Sequence, residues 1–193
     1  MAILTVGLVL FLGVHSVSIV SASWRDEIIA RIGKGPWQGI YSVVAIAGFV
    51  LIVFGYDLAR QNPTLVYAPP IWLRQVAVLL MIPVFPLFLA AYFPGRIQQA
   101  AKHPMLVAMK LWAVVHLLVN GSLADVILFG SFLAWAVSDR VSMKHREQRS
   151  VPGAPPSKWN DFVVVLAGLA IYAVFVFRAH FWLFGVPVGA PWG

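Results

Sequence analysis

Cysteine is missing from this chain altogether, and charge is sparse. With no cysteine among 193 residues, disulfides, thiolate metal sites and cysteine nucleophiles are excluded. Charged residues make up 11% of the chain against 61% apolar, and the mean hydropathy is +0.85. A water-soluble domain of this length needs more charge to cover its surface, so the composition belongs to an integral membrane protein. Acids are the scarcer sign, 7 Asp and Glu against 14 Lys and Arg, for a formal net charge of +7. In a membrane chain that excess reads as basic loops lying against anionic lipid, so the lipid bilayer is the expected partner and nucleic acid is not.

What the chain has in abundance is apolar runs. A spanning helix needs about 20 mainly apolar residues. Segments 2–22, 37–58, 71–93, 104–120, 122–138 and 162–184 meet or approach that length. The expected fold is therefore all-α, a polytopic helical bundle of about six spans forming one integral membrane domain over residues 1–193. The fourth and fifth runs are separated by little beyond Asn120-Gly121, a turn dipeptide, which predicts a tight helical hairpin. Small residues at Val20-Ser21-Ala22-Ser23 would suit signal-peptide cleavage. No Lys or Arg precedes the first run, however, and His15 interrupts it, so a retained helix is expected.

Loop charge predicts the orientation. Residues 23–36, 94–103 and 139–161 hold Arg25, Arg31, Lys34, Arg96, Lys102, Arg140, Lys144, Arg146, Arg149 and Lys158, whereas the alternate loops hold little beyond Arg60. The positive-inside pattern then puts both termini outside. The stretch from Arg149 to Lys158 is Pro-rich and polar, a linker rather than a domain.

Ionisable groups inside spans are costly and by default suggest function. Of the 5 histidines, His145 lies in a basic loop, His103 stands before the helix-starting Pro104, and His180 is near the outer end of the last run. Only His15 and His116 fall well inside spans. At helical spacing Met105, Met109, Trp112, His116 and Asn120 share one face. His15 shares its face with Leu8, Phe11, Leu12, Ser18 and Ile19. Lys110 points elsewhere and can snorkel. Gly48 and Gly55 align on one side of the second run, a groove for close helix packing or for a flat ligand lying against backbone.

Two imidazoles on different helices without carboxylates suit haem iron in an apolar slot. Zinc would want two more ligands than the chain offers. The alternative is that each histidine only hydrogen-bonds a neighbouring helix.

The stretch His103-Pro104-Met105-Leu106, Leu111-Trp112, His116-Leu117-Leu118 and Asn120-Gly121, together with His15 in Phe11-Leu-Gly-Val-His15-Ser16, resembles the NnrU family of bacterial membrane proteins. The likeness runs over nearly the whole chain. That family is related to the membrane haem b enzyme 15-cis-zeta-carotene isomerase. The resemblance implies a bacterial inner-membrane location and a haem b held by His15 and His116 as metal ligands, with Trp112 and Met109 beside it. It also implies a link to denitrification and nitric oxide, through redox or small-ligand chemistry at a bis-histidine haem and a redox partner it does not identify. Propionates would need cations, for which Arg74 and Arg178 stand near outer span ends. The isomerase carries a cysteine three residues before its fourth-span histidine. Here that position is Ala113, so a thiolate takes no part in iron ligation.

Two other activities compete. One is haem-dependent cis-trans isomerisation of a polyene or another hydrophobic lipid. The other is a membrane S-adenosylmethionine methyltransferase, suggested by His103-Pro104. That class usually carries a downstream acidic pair, whereas the later acids here are the scattered Asp125, Asp139, Glu147 and Asp161. A purely structural or assembly role is a further option.

Overall fold

A computed structural model describes residues 1–147 and 152–188. It is helical throughout: α1 (Ala2–Val20), α2 (Ala22–Ile32), α3 (Lys34–Gln61), α4 (Leu73–Met81), α5 (Val84–Ala90), α6 (Arg96–Ala101), α7 (Pro104–Val119), α8 (Leu123–Ser142), α9 (Asn160–Val174), a π-helical turn (Phe175–Ala179) and α10 (His180–Phe184). Among the described residues, Ala2–Val20, Lys34–Gln61, Leu73–Ala90 and Asn160–Phe184 are long and apolar enough to cross a membrane, and Pro104–Val119 is a shorter apolar helix. Helix α8 is 20 residues long but holds Asp125, Asp139 and Arg140. All six expected segments are thus helical, and four have the length and apolarity of a span. The Arg149–Val151 part of the expected linker lies outside the described residues.

Contacts group the chain into two compact units, residues 1–67 with 121–148 and residues 68–120 with 149–193. The division falls at Asn120-Gly121. The hairpin expected of the fourth and fifth runs is therefore not a self-contained pair, because α7 packs within the second unit and α8 within the first.

In the first unit α1 lies against α3, and α8 packs on α1 and α3. Glycines set the α1–α3 separation. A Cβ on Gly7 would come within 2.6 Å of the Ile52 nitrogen, and one on Gly48 within 2.6 Å of the Phe11 nitrogen, while Gly55 meets Leu4 backbone. The Gly48–Gly55 groove is thus filled by α1, which settles its use as close helix packing over a flat-ligand platform. Within the expected inner connection a short helix forms, α2, whose Ser21 cap accepts from the Trp24 N–H at 3.2 Å. Its Arg25, Asp26, Glu27 and Arg31 interleave with Ile28, Ile29 and Ile32, the composition of a helix lying in the interface. The loop after α3 is stitched to the start of α8: Val66 N–H donates to Gly121 O at 2.8 Å and Leu123 N–H to Thr64 O at 2.8 Å.

In the second unit α5 packs on α7 and α9, and α4 packs on α7. The third expected span is broken between α4 and α5, because Pro83 has no N–H for the Leu79 carbonyl. Ile82 N–H turns to Leu79 O instead (3.2 Å), which leaves Val78 O without its usual helical donor. Tyr172 Oη, on α9, donates to Val78 O at 2.5 Å. A carbonyl freed inside lipid requires such a partner. Gly168 allows this approach, since a Cβ there would lie 2.5 Å from the Pro86 nitrogen. Ahead of α7, Lys102 takes φ 59° and His103 N–H donates back to Ala101 O at 2.6 Å. This tight three-residue turn delivers Pro104 to the first helical position, where its missing donor costs nothing.

Tyr172→Phe is expected to lower stability in detergent by about 1–2 kcal/mol, the worth of a lost buried hydrogen bond, read as a fall in melting temperature. Gly48→Ala should cost about 1–3 kcal/mol by overpacking the α1–α3 seam. Gly13→Ala, where an added Cβ meets nothing within 4 Å, should leave the melting temperature unchanged or slightly higher.

Candidate functional site

His15 sits three-quarters of the way along α1, half-buried in the first unit. Its Nδ1 lies 2.6 Å from the Phe11 carbonyl oxygen, one turn back. A carbonyl can only accept, so Nδ1 carries a proton, and in the neutral ring the lone pair is then on Nε2. That is the tautomer in which metal-binding histidines are commonly held, with the second nitrogen tied to a backbone carbonyl.

Aromatic rings wall the imidazole. Phe11 stacks on it at 4.3 Å between centroids, and the Tyr41 ring of α3 meets it at 5.2 Å and 61°. The Trp135 ring of α8 stands perpendicular to it at 6.0 Å. Phe132 and Phe49 extend the wall behind Phe11, at 5.8 and 6.3 Å from its ring. Leu8, expected on the His15 face, is buried. One polar atom in this box stands out. Trp135 Nε1 is buried with no hydrogen-bond partner among the described residues. A donor left so in an apolar interior costs about 1–3 kcal/mol.

His116 occupies the last turn of α7 in the second unit, also half-buried. It repeats the same local device: Nδ1 lies 2.8 Å from Trp112 O, and the Trp112 ring is 5.2 Å away. Asn120 Nδ2 donates to the His116 carbonyl at 2.9 Å, finishing the helix end. The expected face of Met105, Met109, Trp112, His116 and Asn120 is half-buried throughout. The packed seam of α7 is a different one, Pro104, Leu106, Ala108, Ala113 and Val115. Ala113, where the isomerase has its cysteine, is thus enclosed by protein.

The remaining expected residues are dispersed. Arg74 is half-buried in the first turn of α4, and Arg178 is exposed in the π-helical turn. His180 closes the chain behind α10, its Nδ1 2.7 Å from Val186 O. His103 is the residue before α7 and makes no side-chain cap. His145 is exposed.

Asp125 caps α8 rather than pairing with an arginine. Its Oδ2 accepts from Ser122 N–H (2.9 Å) and Ser122 Oγ (2.6 Å), and its own N–H reaches Ser122 Oγ. Tyr56 Oη donates to Oδ1 at 2.5 Å, with Arg60 over the Tyr56 ring. In the adjoining loop, burial raises the pKa of the Tyr67 phenol and the Asp125 carboxylate pushes it the same way. At the other end of α8, Arg146 neutralises buried Asp139 at 2.5 Å. No three His, Cys, Asp or Glu side chains converge on a metal-sized site among the described residues.

Apolar helices of spanning length and half-buried histidines inside two of the apolar helices define a multi-pass helical membrane protein. The chain belongs to the NnrU protein family, whose model matches residues 3–188. No curated protein and no solved structure matches it.

The partners of His15 on α3 and α8 were out of reach of sequence reasoning. Tyr41 and Trp135 lie 26 and 120 positions along the chain from it, and only packing brings their rings together. The orphaned Trp135 donor yields a direct test. In ligand-free protein Trp135→Phe keeps the ring contact and removes an unmet N–H, so the melting temperature should hold or rise by the equivalent of about 1 kcal/mol. A clear drop in melting temperature would show that the indole N–H has a partner after all.

Proposed function

We propose that this NnrU protein binds haem b through its half-buried histidines and uses it for electron exchange or for reversible binding of a small gaseous ligand such as nitric oxide. The observation that carries the reading is the state of His15, whose Nδ1–H is committed to Phe11 O so that Nε2 carries the lone pair inside an aromatic box. A bare metal ion finds no three-ligand nest among the described residues. A macrocycle brings four nitrogens of its own and needs only one or two imidazoles. The residues present fit that demand.

Under this proposal His15 and His116 are the residues that would hold the haem iron, and the Nδ1 hydrogen bonds would keep each ring in the ligating tautomer. Phe11, Tyr41 and Trp135 wall His15 in its unit, and Trp112 and Met109 share the His116 face in the other; such walls would exclude water and strengthen polar contacts. Trp135 Nε1–H is an unused donor close to His15. It can donate to a propionate oxygen or to a bound polar ligand. Arg74 and Arg178 are the cations proposed for the propionates. When bound, haem supplies one-electron redox change and an iron that takes up diatomic gases. A role in nitric oxide metabolism, and an inner-membrane location with both termini outside, follow from the family and from the basic-loop pattern as parts of the same proposal.

The test is spectroscopic. Protein purified in mild detergent and reconstituted with haem should give a Soret band and a b-type spectrum on reduction. His15→Ala and His116→Ala should each weaken or shift it while leaving the melting temperature of the apoprotein within about 1 kcal/mol equivalent, since each removes only a half-buried ring. A folded protein without a specific haem spectrum sinks the proposal. Loss in one variant alone assigns that histidine as the single protein ligand and would leave the iron able to take up a gas.

A further inference from the structure

In the second unit, three pieces of chain are bound together where α9 begins. Ala154 N–H donates to Tyr92 O at 2.8 Å. The side chain of Asn160, itself buried, donates to Pro94 O at 2.8 Å and to Pro155 O at 3.1 Å. The Asp161 carboxylate accepts the backbone N–H groups of Arg96 (2.9 Å) and Ile97 (3.1 Å), which are orphan donors at the start of α6. The Pro-rich segment after residue 151 is thus pinned rather than loose. Between it and α6 lies an open cleft of about 690 Å³, lined by Gly95, Arg96, Gln99, Ser157, Lys158 and Asp161.

The charges in this cleft are unequal. Asp161 is the one carboxylate lining it, and both its oxygens are taken by backbone donors. Arg96 is exposed and makes no ion pair among the described residues, and Lys158 Nζ lies over the Trp159 ring at 5.9 Å. A guanidinium, an ammonium, a hydroxyl and an amide therefore face one opening, a donor set for a phosphate and its neighbouring hydroxyls. The rim is apolar: Trp159 is 62% exposed and Phe162 60% exposed. Both stand where the 25-residue apolar segment Asn160–Phe184 starts, the level at which aromatic rings meet lipid headgroups. A soluble anion has no use for that rim, whereas a lipid has.

We propose that this cleft is a binding site for the headgroup of an anionic phospholipid. Arg96 and Lys158 engage the phosphate, Ser157 and Gln99 meet the headgroup hydroxyls, and the acyl chains run past Trp159 and Phe162. Arg96 and Lys158 outweigh the single Asp161 carboxylate, so the cleft is net positive and favours a headgroup of net negative charge over a zwitterionic one.

The experiment is native mass spectrometry of the detergent-solubilised full chain, titrated with phosphatidylglycerol or phosphatidylcholine. Wild type should retain phosphatidylglycerol preferentially. Arg96→Gln with Lys158→Gln should reduce that retention roughly tenfold, about the loss of two charge-assisted contacts. The control, Arg31→Gln with Lys34→Gln, removes the same charge from exposed positions of the other unit and should leave retention near wild type. Trp159→Ala should weaken lipid retention without altering the melting temperature. Equal loss in the control overturns the site in favour of diffuse charge attraction. Unchanged retention in the cleft variant, or full competition by millimolar glycerol phosphate, overturns it as well, the latter pointing to a soluble anion.

Discussion

A peptide group surrounded by lipid has no water to bond, so each break in a helix must be repaired by the protein itself. The second unit is organised around one such repair. Pro83 interrupts the third apolar run, and Tyr172 on α9 takes up the carbonyl that the break sets free. That bond ties α9 to α4 and the Gly168–Pro86 approach ties it to α5, and α9 in turn carries Asn160 and Asp161, which fix the loops at its other end. One kink thereby dictates the neighbours of the helix that passes it.

The same constraint governs where polar side chains are tolerated. Asp125 and Asp139 are buried, but each stands at an end of α8 with its oxygens engaged, by Ser122 and Tyr56 at one end and by Arg146 at the other. Between those ends the chain spends almost no polarity. Against that thrift an unpartnered indole N–H next to His15 is conspicuous. Native interiors rarely leave a donor unmet without a functional reason. The device shared by His15 and His116, a ring nitrogen bonded to the carbonyl one turn earlier, satisfies half of each imidazole within its own helix.

The two candidate sites draw on different physics. The histidine boxes work by excluding water, so their chemistry depends on aromatic packing. The cleft at the head of α9 works at the water boundary, where cations remain solvated enough to be affordable and a charged headgroup is close by. Neither uses the residues of the other.

How much of this was written in the chain itself can be judged residue by residue. Hydropathy located six helical segments, because apolar length and helical hydrogen bonding are local properties. It also singled out His15 and His116, since an ionisable group in a greasy run is visible without coordinates. Charge counting marked residues 23–36 as a connection between spans but did not reveal the helix α2 within it. Other features depended on contacts between distant segments. The Gly48–Gly55 groove admitted two uses until α1 was found in it. Asp125 was visible only as a scattered acid until Ser122 and Tyr56 were found on its oxygens. The sequence by itself determined a membrane-bound, all-helical chain with two histidines set in apolar helices. Only the tertiary structure decided which rings surround His15, which helix fills the glycine groove and which segments bring Arg96 and Lys158 to one cleft, because those neighbours are chosen by packing across long stretches of chain rather than by any local preference.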